Sequence, residues 1–209
     1  MPGNQKRDGL DEPAANSPVG ALFAQRPPER IAVPGGTGHA VKIPLEHLQN
    51  LLQHGLVIAA GLDPTLTPSP PPSVLWSDGA NRLLVHLGRA QARSGDGFVD
   101  VTLPVQCDEA GMSLVVCTFV TSTPDKPGGF VWASEGRPRG PTSVVTLWGD
   151  PLVALAWRGL VELAGAIAAH AGRDRFDRPL VPGTVFAARD GLTVVPMAPH
   201  VFPQTGGAT

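Results

Sequence analysis

The chain contains no tyrosine, two cysteines and only 16% charged residues, against a usual share of about 25% in soluble domains. No cluster of lysine and arginine offsets the net charge of −2, so the concentrated positive surface that nucleic-acid backbones require is missing. The first twenty residues, MPGNQKRDGLDEPAANSPVG, include no apolar stretch of the kind a secretory signal needs. A cytoplasmic location is the resulting expectation. The strongest membrane candidate, Leu152 to Ala171, is interrupted by Arg158 and Glu162 and diluted by alanine and glycine, so it reads as a buried core helix.

Motifs that carry chemistry are also missing. No G-x-S-x-G elbow, HExxH, CxxC or clustered acidic loop occurs. The glycines of Gly35-Gly-Thr-Gly38 are not followed by GK[ST], which removes the phosphate-loop reading. His39, His86, His170 and His200 are scattered, and His47 and His54 lie about two helical turns apart, roughly 10 Å. No metal, cofactor or catalytic residue is therefore expected.

What the chain does have is glycine (25) and proline (23) in quantity, with 42% apolar residues. Residues 1–29 show no helical or strand period and predict a disordered tail. One apolar knot, with Val19, Leu22 and Phe23, makes that tail a candidate docking segment. Residues 30–202 predict a single α+β domain, and 203–209 a flexible end. A domain of roughly this size buries about 70% of its unfolded surface and needs no disulfide or metal.

Within the domain, Arg30 to Val33 predicts a short strand. Pro44 to His54 predicts a helix with Leu45, Leu48, Leu51 and Leu52 on one face and Gly55 as its stop. A β-meander follows, with strands Val74–Trp76, Arg82–Arg93, Phe98–Cys107 and Met112–Thr121, then Phe130–Ala133 and Ser143–Trp148. Pro104 cannot donate to a ladder, which places its strand at an edge or at a bulge. With a four-residue turn, Cys107 falls opposite Met112 and Cys117 opposite Thr102, on opposite faces, so two free thiols are expected.

Asp150 and Pro151 predict the start of a long helix ending near Ala171, and Val181–Ala188 with Leu192–Met197 a closing hairpin. The expected architecture is thus an antiparallel meander packed against one long apolar helix, with a short N-terminal helix and a C-terminal hairpin.

That long helix is apolar almost all round, so a concave sheet or a second subunit must cover it. Ala156, Gly159 and Ala164 on it would permit close approach by a partner. The functional expectation is a non-enzymatic interaction or assembly protein, an accessory subunit that associates with itself and with protein partners. The alternative is an apolar-ligand pocket or enzyme site between this helix and the sheet, lined by Trp76, Trp132, Trp148 and Trp157. The arginines of Arg173-Asp-Arg-Phe-Asp-Arg178 alternate with acids and predict local ion pairing on a solvated loop.

Overall fold

The computed structural model describes residue 21 and residues 29–32, 39–64, 71–123, 126–133 and 137–199. Among the described residues, ten strands and two long helices make an α+β fold: β1 Glu29–Ala32, β2 His39–Pro44, α1 Leu45–Ala59, β3 Val74–Asp78, β4 Asn81–Val85, β5 Gln91–Gly95, β6 Phe98–Cys107, β7 Gly111–Thr123, β8 Lys126–Ala133, α2 Thr142–Ala171, β9 Val181–Ala188 and β10 Gly191–Met197. The knot of Val19, Leu22 and Phe23 lies outside the described residues.

The strand order is β1-β2-β10-β9-β7-β6-β4-β3, with β5 also on β6 and β8 also on β7. Strands β3 to β8 form the meander. The sheet as a whole is mixed, because β7 outruns β6 and there Ser122 makes a parallel bridge with Phe186 of β9. Three hydrogen bonds reinforce that seam. Gly97 N donates to Ala187 O (3.0 Å), Thr121 N to Gly97 O (2.9 Å), and Ala187 N to the Thr121 hydroxyl (3.1 Å).

Alternation places Val99, Val101, Leu103 and Val105 of β6 fully inside. Strand β6 is nevertheless not an edge. Its neighbour is one long strand broken into β4 and β5 by a 3-10 turn at Leu87–Arg89. The Pro104 carbonyl accepts from His86 N at 2.9 Å, so the missing proline N–H lies on that same side, opposite the break. The break also pushes Leu87 into the core, fully buried, and leaves the Ala90 carbonyl to accept from Gln53 Nε2 of α1 at 2.8 Å.

Two helix limits differ from the sequence expectation. Gly55 is not a stop. Helix α1 continues to Ala59, and Gly61, at φ 74°, ends it in the left-handed conformation that glycine tolerates. Helix α2 begins at Thr142, so Ser143–Trp148 is its first turns rather than a strand, and Pro151 stands inside the helix. Val144, Trp148, Leu152, Leu155 and Ala156 are all buried, a spacing of three and four that only a helix satisfies. Pro151 removes the bond to the Leu147 carbonyl, and both residues lie on the exposed side.

Helix α2 is long and apolar enough to cross a membrane, but the sheet and α1 cover half of its apolar window, and it is the core helix of the domain. Arg158 and Glu162 form its exposed stripe. Burial of Leu152, Leu155, Leu163 and Ile167 stabilises the fold by roughly 1.5–3 kcal/mol each before entropy is counted.

Ala156, Gly159 and Ala164 are buried as well. The close approach they permit is made within the chain: a Cβ on Gly159 would meet Leu56 Cδ2 of α1 at 2.7 Å. These three residues therefore offer no surface to a second protein.

Both cysteines are free, but not for the reason the sequence suggested. The β6–β7 turn is one residue shorter than expected, so Cys107 pairs with Gly111 and Cys117 with Val101. A one-residue slip exchanges faces, and Cys117 points into the core beside Val101. Cys107 shares that face but stands six residues further along β6, roughly 20 Å away.

Candidate interaction site

Three surfaces carry the exposed chemistry. The first is the outer face of the meander, turned away from both helices. The register Leu75↔Leu84↔Gln106↔Met112 puts these residues in one row, with Leu114 one step along β7. Leu75 is 60% exposed, Leu114 57% and Met112 55%. Farther along the same face, Asp100 is buried. Thr118 Oγ1 donates to it at 2.6 Å and Arg139 Nη2 at 3.4 Å.

The second surface is a cleft at the N-terminal end of α2, between the start of β4 (Asn81, Arg82), the end of β6 with the turn after it (Cys107, Asp108, Glu109) and the first helical turns. Its apolar wall is Val144, Leu147 and Trp148, and its volume is about 190 Å³. Trp148 leans on Trp76, with ring centroids 6.1 Å apart and planes tilted by 36°. Trp76 and Trp148 thus converge, Trp157 stands on the exposed side of α2, and the Trp132 side chain lies outside the described residues. Asp108 and Glu109 have no ion-pair partner among the described residues. Within the turn, Ala110 N donates to Cys107 Sγ at 3.4 Å.

The third surface is the loop after α2. Asp174 Oδ1 accepts from Phe176 N (2.8 Å) and Arg178 N (3.0 Å), while Oδ2 accepts from Arg178 Nε (2.9 Å) and Nη2 (2.6 Å). The Arg178 guanidinium beside it, with the two backbone donors, holds the Asp174 carboxyl down at about 2. Arg173 Nη1 donates to the Asp177 carbonyl at 2.9 Å, and Asp177 adopts a left-handed φ of 59°. The expected ion pairing is present. The loop it fixes carries Phe176 at its tip, 62% exposed, with the guanidinium carbons of Arg175 and Arg178 at 4.7 and 5.1 Å from the ring centre.

Nucleophilic chemistry finds little support among these groups. Burial pushes the Cys117 thiol up to about 12, so it is not a thiolate near neutral pH. Ser73 Oγ lies 3.1 Å from His86 Nδ1, a pair that no local motif marks. Nε2 of that ring is buried, and no carboxylate orients it among the described residues, unlike the base of a catalytic triad. His54 and His47 lie half-buried on α1. Burial lowers His54, and burial followed by the charge of Arg89 lowers His86. Among the described residues no group of three His, Cys, Asp or Glu side chains is placed to hold a metal ion.

The chain matches no protein-family model, and no curated protein or solved structure is significantly similar to it.

Proposed function

We propose that the chain is an interaction or assembly protein, an accessory subunit that associates with itself and works without catalysis. One observation carries this reading. Among the described residues, the most exposed apolar side chains of the sheet, Leu75, Met112 and Leu114, lie in register on a single face that neither helix covers. Apolar patches of this kind mark protein interfaces. The knot of Val19, Leu22 and Phe23 belongs to the same proposal, as a segment for a further protein partner.

The test is molar mass by light scattering across micromolar to millimolar concentration. The full chain should exceed the monomer mass, and Leu75→Lys with Leu114→Lys should weaken association. A monomer mass at every concentration would overturn self-association. Deleting residues 1–29 should leave the number of subunits in the assembly unchanged, while abolishing capture of a partner through the knot.

An apolar-ligand pocket is the second reading, and the Trp76–Trp148 pair beside the cleft is what favours it. The cleft of about 190 Å³ is small beside the roughly 300–1,000 Å³ of ordinary ligand sites. A change in tryptophan fluorescence on adding small apolar molecules to a monomer would bring this reading forward.

A further inference from the structure

We propose that the Phe176 loop of one copy docks into the α2 N-terminal cleft of a second copy. The inference rests on the self-association put forward above and adds to the outer sheet face a second contact between copies. Phe176 is an unusual exposed residue because its backbone is already ordered: four hydrogen bonds to Asp174 and one from Arg173 fix the loop that presents it. A rigid aromatic flanked by arginine is the composition of an interface hot spot, since little entropy remains to be lost on docking. Arg178 is neutralised by Asp174, whereas Arg175 has no ion-pair partner among the described residues.

The cleft complements this knob in size and in charge. A cavity of about 150 Å³ accommodates benzene, so about 190 Å³ receives one phenyl ring and little more. Val144, Leu147 and Trp148 supply the apolar wall, and Asp108 and Glu109, without an ion-pair partner among the described residues, belong to the same lining and offer Arg175 its counter-charge. Arg82 is the opposing charge in the lining and leaves the rim net negative. Knob and cleft sit at opposite ends of a 30-residue helix, about 45 Å apart. The knob therefore cannot fill the cleft of its own chain, and the contact is between copies.

Two surface variants test this, Phe176→Asp for the knob and Asp108→Lys with Glu109→Lys for the cleft. Each alone should lose association by about thirtyfold or more. Mixed in equal amounts they should recover a two-chain species, because one intact knob and one intact cleft remain. Circular dichroism and urea midpoints matching the parent confirm that the variants fold. Labelling of Cys107, which lines the cleft, should slow as the parent chain associates and not in the Phe176→Asp variant. If the parent associates and both variants associate equally well, the docking is wrong, while assembly through the outer sheet face survives. If the parent is a monomer throughout, both readings fall together.

Discussion

Gly55 and Gly159 face each other where α1 crosses α2, so closely that a Cβ on Gly55 would overlap the Gly159 carbonyl oxygen. The obstacle is backbone, which cannot rotate aside. Gly55→Ala should therefore destabilise the domain by about 1–3 kcal/mol through overpacking, although alanine gains about 1 kcal/mol in helix propensity. Gly165 of the same long helix has open space around it. There Gly165→Ala should add about 0.5–1 kcal/mol. Thermal melts check the pair, at about 2–4 °C per kcal/mol for a domain of this size. Equal shifts of the same sign would sink the argument.

The thiols should separate by reactivity. Cys107 is half-buried at the cleft, whereas Cys117 is buried with its thiol held near 12. A thiol-specific reagent at about pH 8 should label one equivalent quickly and the second only on unfolding. Cys107→Ser should remove the fast phase. Fast labelling of Cys117 would contradict its placement against Val101.

Stability should fall on mild acidification. His54 and His86 both titrate below their ordinary value in the folded chain. The unfolded chain then takes up protons first, so their contribution is complete above about pH 6.5 and is lost as the pH falls below it. Asp174, held by Arg178, and Asp190, held by Lys42, are shifted down as well. Their contribution persists above the ordinary carboxylate range and fades only in stronger acid. The urea midpoint should thus be lower at about pH 5.5 than at about pH 7.5, and His54→Gln should flatten the difference. A midpoint at about pH 5.5 equal to or above that at about pH 7.5 would refute the assignment.

Asp174→Ala should release the loop that carries Phe176. Arg173 and Arg175 become accessible trypsin sites once the carboxylate that collects the loop's donors is gone, whereas Arg178 precedes Pro179 and resists trypsin. Limited trypsin digestion followed by mass spectrometry should show early cuts there in the variant and not in the parent. Cuts at equal rates would mean that the ion pair does not order the loop.

How much of this was readable in advance depended on whether the signal was local. The alternation of Val99, Val101, Leu103 and Val105, and the Arg189-Asp-Gly191 turn between β9 and β10, are visible in a few consecutive residues, and both were read correctly. Ser143–Trp148 was misread because valine and threonine favour strands locally, while the packing that makes them helical comes from distant elements. Gly55 reads locally as a stop because its crossing partner, Gly159, lies over a hundred residues away. The faces of the cysteines turned on one residue of turn length. The cleft joins side chains near positions 82, 108 and 147, and no sequence window holds all three. The acids and arginines around Phe176 were legible as ion pairs, but not what they hold in place.

The seam at Ser122 and Phe186 leaves the sheet as two panels joined along a narrow margin. Helix α2 packs on β9 and β10 of one panel and on β6, β7 and β8 of the other, so it acts as a splint laid across a fracture line. Helix α1 spans the same line, from β5 on one side to β2 and β10 on the other, so loosening both helices would let the panels open like a book while each keeps its own ladder intact, and backbone protons at the spine would exchange with solvent before those in the pages.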